Sequence, residues 1–582
     1  MSSRRQLDHP SVSTTPAHPP CAAQAAQKNE IKKVQHRPNP GIGQPLARPQ
    51  IRPRLLIRRA NGASAPSPSA AQAAQKNEIK KVQHGPNPGI GHSRRPAPAP
   101  IAAAPSLSPF TLNCNYMLSR IFWATLFTGA AALAQQDATN PENALVRDIL
   151  HELIETNTTH STGSTGLAAE KMAARLKAAG FPAADIEIAG PRPERNNLVA
   201  RIHGTGQRKP ILLIAHLDVV EAKREDWTTD PFQFVEKDGY YYGRGTSDIK
   251  DGDAVLVANF IRWQKEGYKP DRDLILALTA DEEGGTENGI AWLLANRGPL
   301  IAAEYCINLD GGGLEIKGGK KLLNEVQYSE KGFLTVILEA KDKGGHSSVP
   351  RKHNAIYELA RALLLLDRYE FPVMLDEGRR EYLRVVQSGM QGEMANSVAG
   401  VLENPPVPTA VRLVSMMPDL NAVMRTTCVA TMVQGGHAEN ALPQSARATV
   451  NCRILPGQAP QAVERTLRTV IQDPAITITV ASDSPIGDVG SPPSPLNPEV
   501  MKAAKDVTEA MWPGVPVVPV MSLGATDGRV LRRAGMPVYG ISGIASDQDD
   551  IRAHGKDERV EATALFEGRE FVYKLVKALA GK

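Results

Sequence analysis

The sequence predicts an α/β protein, a mostly parallel sheet flanked by helices, with a smaller α+β segment inserted into it. Three observations carry that prediction. From Asn140 onward, short apolar runs alternate with helical repeats, which is the grammar of βαβ units. Four runs between Ile211 and Gly313 end in polar, ligand-type residues, at the strand ends where open α/β sheets build their sites. Near Val326 the grammar changes, and α/β patterning resumes only after the Pro-rich stretch Ser484–Pro498.

Length and composition bound the reading. A chain of 582 residues exceeds one ordinary core, so at least two domains are expected, and 42% hydrophobic residues suffice to build them. The net charge is only +5 and no basic stripe is interleaved with aromatics, which argues against nucleic acid as a partner. Cys21, Cys114, Cys306, Cys428 and Cys452 show no CxxC spacing, which argues against a thiolate zinc site and against a disulfide framework. The last three read as small buried hydrophobes.

Residues 1–116 are rich in Pro, Ala, Gln and Arg and poor in apolar periodicity, a composition that reads as a disordered leader. The stretch from Ala22 to His36 recurs from Ala70, but two short copies without a hydrophobic face cannot stack into a solenoid. Residues 117–134 then run from a basic start after Met117 through an apolar stretch to Ala132-Leu-Ala134, a signal-peptide pattern. Translation is therefore expected to start at Met117 and cleavage to follow Ala134, giving a periplasmic or secreted enzyme with no membrane span in its mature form. The rival is a buried apolar helix in a longer protein.

The globular elements follow in order. Apolar residues at helical spacing predict helices over 142–156 and 167–179. Strands are expected over 197–202 and 210–215, then a helix over 254–266, a strand over 273–280, a helix over 287–295 and a strand over 304–309. These make up the first part of a catalytic domain, residues 135–325. In the insertion, 326–483, strands are expected from Gly332, from Arg447 and over 476–481, with helices over 354–366 and 459–470 and a Pro- and Met-rich excursion over 400–430. Two helices on a small antiparallel sheet fit it. Residues 484–582 return to the first domain with helix 498–511, strand 536–541 and a terminal helix from Ala562.

The strand ends carry the chemistry. His216 and Asp218 sit two apart just past one strand, so one can bind a cation while the other orients it. Asp248 lies in a glycine-loosened loop ahead of a helix, Glu282 and Glu283 end a buried strand, and Asp310 ends another. Adjacent glutamates serve different tasks: one ligates while its neighbour faces the substrate as a general base, and each raises the other's proton affinity. A lone HxD or Glu-Glu is more often a core histidine or a solvated turn, but convergence of four strand ends favours a hydrolytic metal centre. Further on, His554 lies in a Gly- and Asp-rich loop, Ser522–Arg529 reads as a substrate loop, and His346 falls in the insertion.

In these residues the sequence resembles the di-zinc metallopeptidases that include acetylornithine deacetylase, succinyl-diaminopimelate desuccinylase, glutamate carboxypeptidase and the aminoacylases. The landmarks run from His216-Leu-Asp218 through Asp248, Glu282-Glu283, Asp310 and Gly345-His-Ser-Ser-Val-Pro to His554. The resemblance covers Asn140 to Lys582. It implies a zinc-peptidase catalytic domain with an inserted ferredoxin-like lid and dimerisation domain. It implies two zinc ions per subunit, with cobalt or manganese as substitutes, and Asp248 bridging them. His216 and Asp310 would complete one site, Glu283 and His554 the other. Asp218 would orient His216, and Glu282 would be the general base. His346 would reach the partner's site in a homodimer to stabilise the oxyanion, while Asn440 and Arg453 would hold the substrate carboxylate. The sequence departs from the pattern at Gly524-Ala-Thr-Asp-Gly, where a double glycine is more usual, which leaves side-chain specificity open.

The expected function is zinc-dependent hydrolysis of C–N amide bonds, releasing a C-terminal amino acid from a small peptide or an N-acyl amino acid. A dipeptidase or aminopeptidase with a related metal site is the rival enzyme, distinguished by a need for a free α-amine. An inactive binding protein on the same fold is the rival of another class.

Overall fold

The computed structural model describes residues 140–481 and 491–581. The leader, its repeat and the Met117–Ala134 signal pattern lie outside the described residues.

The first helices start where capping chemistry allows. Helix α1 (Pro141–Ile154) has Asn140 as its cap, with the side-chain oxygen accepting the Glu142 N–H at 2.9 Å and proline in the first turn. Helix α2 (Thr165–Ala178) is capped by Ser164 through the Leu167 N–H at 3.1 Å. Strands β1 (Ile186–Ala189), β2 (Asn197–Ile202) and β3 (Ile211–His216) follow, then a small ribbon of β4 (Val235–Lys237) and β5 (Tyr240–Tyr242). Helix α3 (Lys250–Lys265) begins earlier than its apolar repeat indicates, directly after Asp248. Next come β6 (Leu274–Thr279), α4 (Gly289–Ile301), β7 (Tyr305–Asn308) and a hairpin of β8 (Gly313–Lys317) and β9 (Lys320–Glu330).

Strand β3 lies parallel to both β6 and β7, so the carboxyl ends of these three central strands share one edge of the sheet. Their side chains alternate between two cores, as period-two geometry requires. Ile211, Leu213, Leu276 and Ile307 face one apolar cluster with α1, α2 and α3, whereas Leu212, Ile214, Ile275 and Cys306 face a second with α4. Apolar residues on both faces mark a sheet buried between helix layers.

The chain then leaves this sheet. Strands β10 (Gly332–Lys341), β12 (Thr427–Gly435), β14 (Ser445–Ile454) and β15 (Ile476–Val480) form a four-stranded antiparallel sheet in the order β12-β14-β10-β15. Helices α5 (Ala355–Arg368) and α10 (Pro460–Ile471) cover it, with Leu334, Val336, Leu359 and Leu467 in their shared core. A short ribbon pairs β11 (Gly345–His346) with β13 (Ala441–Leu442).

The Pro- and Met-rich excursion over 400–430, given no elements of its own by the sequence, is not without them. Helices α6 (Glu377–Ser388), α7 (Gly392–Leu402), α8 (Pro408–Val414) and α9 (Pro418–Met424) surround their own apolar cluster of Leu383, Val401, Val414 and Met424. Pro408 and Pro418 stand in first turns, where proline starts a helix and breaks nothing. Nor are Cys428 and Cys452 two separate buried hydrophobes. They face each other in the β12–β14 register, Cα atoms 4.0 Å apart, and form a disulfide. Cys306 is free and buried, as expected.

The return to the first sheet comprises α11 (Pro498–Met511), β16 (Val517–Ser522), α12 (Gly528–Arg533), β17 (Val538–Gly540), β18 (Ala545–Asp547), β19 (Arg559–Glu561) and α13 (Ala562–Leu579). Strand β16, which carries Pro519 and escapes sequence reading, runs parallel to β9 as an off-path strand. Strand β19 pairs antiparallel with β5, which brings the segment after His554 back to the segment before Asp248. Among the described residues no helix is long and apolar enough to cross a membrane.

Candidate metal centre

Because β3, β6 and β7 run parallel, the residues just past each strand meet at one edge. His216, the last residue of β3, is buried, and its Nε2 lies 3.4 Å from Asp248 Oδ1 and 3.8 Å from Asp310 Oδ2. His554 arrives from far along the chain, its Nε2 3.0 Å from Asp248 Oδ2 and 2.8 Å from Glu283 Oε1. Asp248 thus turns a different oxygen toward each imidazole. Ligand atoms of His216, Asp248 and Glu283 lie within 4.8 Å of one another, as do those of His216, Glu282 and Asp310.

Asp218 acts differently from the expectation that its carboxylate orients His216. That carboxylate accepts the backbone N–H groups of Glu282 and Glu283 at 3.1 and 3.0 Å, and stands 3.8 Å from the His216 ring. The ring's Nδ1 instead lies 3.0 Å from the Asp218 backbone oxygen. A carbonyl only accepts, so Nδ1 donates to it, and Nε2 is the ring nitrogen turned toward Asp248 and Asp310. The turn that presents the two glutamates is tight: Asp281 has φ of 53°, in the left-handed region that aspartate tolerates better than most residues. His554 is also left-handed, with φ of 61°.

Charge is concentrated. Burial alone would lower the His216 ring, but its hydrogen bond to Asp248 and the charges of Asp310, Asp218 and Glu282 hold it well above its ordinary value. Burial alone would raise Asp248, yet hydrogen bonds with His216 and His554 hold it well below the usual carboxylate range. Burial pushes Glu282 up to about 8, with Asp527, Glu283 and Asp218 adding to it. Burial likewise raises Asp310 well above the ordinary range, and Glu283 less so. Asp248, Glu282, Glu283 and Asp310 thus crowd against only two imidazoles. A donor set of hard carboxylate oxygens and imidazole lone pairs, with charge this negative, fits divalent cations such as zinc, cobalt or manganese.

The other predicted residues lie elsewhere. His346 is exposed on β11, with its Nδ1 2.8 Å from Ser348 Oγ, and Asn440 is exposed beside it, its backbone oxygen accepting the Ser347 N–H at 3.0 Å. Arg453 is exposed on β14, opposite Phe333 and Thr427. Among the described residues no contact joins these three to the cluster.

Sequence reasoning missed two groups. Asp527, within the substrate loop, is buried and accepts from Thr279 Oγ1 at 2.7 Å and Asn288 Nδ2 at 2.6 Å, near enough to Glu282 to raise its proton affinity. Glu558 is wholly buried among the backbone N–H groups around Asp248. A lone acid in a polar loop carries no sequence signal; only an unexpected burial exposes it.

Comparison with known proteins agrees with this geometry. The model of Peptidase family M20/M25/M40 matches residues 212–578, which includes every residue of the cluster. The human N-fatty-acyl-amino acid synthase/hydrolase PM20D1 is 31% identical over 382 residues, 63% of this chain and 74% of that protein. A probable succinyl-diaminopimelate desuccinylase of Staphylococcus aureus is 30% identical over 382 residues, covering 64% and 84%. In fold, the chain is similar to an M20 family metallo-carboxypeptidase from Sulfolobus solfataricus, with a TM-score of 0.56 and 19% identity over 75% of this chain and 99% of that one. The chain belongs to peptidase family M20/M25/M40, and it is a hydrolase of the metallopeptidase and amidohydrolase kind.

Proposed function

We propose that the protein is a zinc-dependent hydrolase of C–N amide bonds that releases a C-terminal amino acid from small peptides or N-acyl amino acids. The observation that carries this reading is Asp248 offering one oxygen to the His216 side and the other to the His554 side, with Glu282 beside them. His216, Asp248 and Asp310 would hold one zinc ion, and Asp248, Glu283 and His554 a second. Such ions polarise a carbonyl and lower the pKa of water to about 7. Glu282, a carboxyl of raised proton affinity, takes the proton of the attacking water and returns it to the departing nitrogen. Asp218 fixes the Glu282-Glu283 turn through its two backbone hydrogen bonds.

Room for an acyl chain adjoins the cluster. A cavity of about 610 Å³ is lined by Asp248 and Asp310, and one of about 480 Å³ runs from Asp310 to the Ser522–Thr526 loop. Both fall in the range of small-molecule sites. Relatives named for fatty-acyl amino acid hydrolysis and for desuccinylation support an acyl–amine bond as the target.

We take residues 326–483 as an inserted lid and dimerisation domain between catalytic segments 135–325 and 484–582. Exposed apolar side chains on edge strand β12, Val429 at 62%, Met432 at 59% and Val433 at 68%, support a homodimer through this sheet. Within such a dimer His346 would serve the partner's site as oxyanion donor, and Asn440 and Arg453 would hold the substrate carboxylate. Export through the Met117–Ala134 signal agrees with the Cys428–Cys452 disulfide, since disulfides persist in oxidising compartments.

A hydrolysis panel of N-acyl amino acids and dipeptides tests the reading. Turnover that needs a free α-carboxylate and tolerates a blocked amine is expected. Turnover that instead needs a free α-amine would assign the protein to the aminopeptidases or dipeptidases.

A further inference from the structure

The two loops that meet at Asp248 and His554 are separated by some three hundred residues of sequence, yet they are fastened to each other by one buried side chain. Glu558 is 0% exposed. Its Oε1 accepts the backbone N–H groups of Ser247 at 2.9 Å and Asp248 at 3.1 Å, and the Ser247 hydroxyl at 3.1 Å. Its Oε2 accepts the Gly245 N–H at 3.1 Å and pairs with Arg244 Nη1. Arg244 closes the ring: its Nη2 donates to the Gly555 oxygen at 3.0 Å, one residue past His554, and its guanidinium stands over Trp227, 5.0 Å from the ring centroid. The backbone joins in, with the Gly243 N–H donating to the Glu558 oxygen at 3.1 Å.

We infer that Glu558 is a positioning residue whose carboxylate holds the Asp248 loop and the His554 loop as a single unit, and thereby sets the affinity of the centre for its divalent cations. This rests on the metal-centre reading above. The physical argument is preorganisation. Gly243 and Gly245, with φ of 153° and 93°, give the loop a backbone that alone has many conformations. The inward-turned N–H groups of Gly245, Ser247 and Asp248 make an anion-binding concavity, and Glu558 fills it with an anion from the His554 side. Without that anion the concavity loses its partner and Arg244 loses its counter-charge, so Asp248 and His554 would each have to be ordered at the moment a cation binds. Outer-sphere groups that orient ligands in this way are worth about 10- to 100-fold in affinity when removed.

The test is zinc titration of the chelator-stripped full-length protein against a competing chromophoric chelator, with far-UV circular dichroism and the thermal midpoint of the apoprotein measured alongside. Glu558→Gln keeps the size and one acceptor oxygen but removes the charge, and it is expected to weaken zinc binding by about 10- to 100-fold. Ser247→Ala, at an exposed position, removes one donor and is expected to weaken binding by about 2- to 10-fold. Glu561→Gln, an exposed acid three positions further on at the end of β19, is the control and leaves binding unchanged. A Glu558→Gln protein that binds zinc as tightly as the parent overturns the inference, whatever its thermal midpoint, because a merely structural role lowers stability and leaves the affinity of the folded fraction alone. If Glu558→Gln does not fold, Ser247→Ala decides, and unchanged affinity overturns the inference. A parent protein that takes up no zinc overturns the metal-centre reading itself.

Discussion

Under the proposed function, Glu282 is the general base. Replacing it by Gln keeps size and hydrogen bonding but removes the base, so kcat is expected to fall by about 10²- to 10⁴-fold while metal content stays near that of the parent. Metal analysis beside steady-state kinetics checks both halves, and retained turnover would remove Glu282 from the mechanism. A second pair of acids titrates away from the centre. Burial, and then Glu315 beside it, push the Glu325 carboxyl up to about 8 from an ordinary 4.5. The folded chain therefore binds more protons than the unfolded chain between those values, so this group's contribution is fully present below about 4.5 and is lost as pH rises toward 8. Glu325→Gln is expected to stabilise the protein at pH 8, with the gain fading by pH 4.5, as urea unfolding at the two pH values would show. An equal difference at both pH values would contradict the assignment. At this scale the residues that converge were legible because strand-end His and Asp stand out from an apolar run. Asp527 and Glu558 were not, since nothing in a polar loop distinguishes a buried acid from a solvated one.

Elements were legible where periodicity and capping agree. Helices α1, α2, α5, α10 and α11 and strands β2, β3, β6 and β7 all show their apolar pattern directly. Where proline intervenes the pattern misleads: Pro408 and Pro418 begin helices α8 and α9, and Pro519 sits within β16. Strand β12 was hidden for a different reason. Its residues are exposed on the sheet edge and carry little alternation, so its pairing with β14, and with it the disulfide, has no signature in cysteine spacing. That disulfide ties an exposed edge strand to its neighbour across 24 positions of chain. Cys452→Ser, or reduction, is expected to lower the unfolding free energy by about 2–4 kcal/mol, measured by denaturant unfolding with and without reductant. No change on reduction would contradict a structural role.

Among the described residues, one sheet brings candidate ligands together from five separate stretches of chain beside its parallel centre, and a second sheet leaves an edge open. The first property follows from βαβ grammar and was legible; the second depends on an edge strand that the sequence concealed. Val433→Asp places a charge on the exposed face of β12; if the proposed dimer forms, light scattering is expected to show its conversion to a monomer, with turnover falling as His346 loses its proposed partner site. A parent protein that is monomeric and fully active would contradict that assembly. The claim beneath all of these is that distant imidazoles and acids enclose a pair of cations. Metal stoichiometry of purified, zinc-loaded protein tests it most directly: two ions per chain are expected in the parent and fewer than one in Asp248→Ala, because one carboxylate serves both positions. No bound ion in the parent after loading with zinc, cobalt or manganese, or two ions retained in Asp248→Ala, would contradict it.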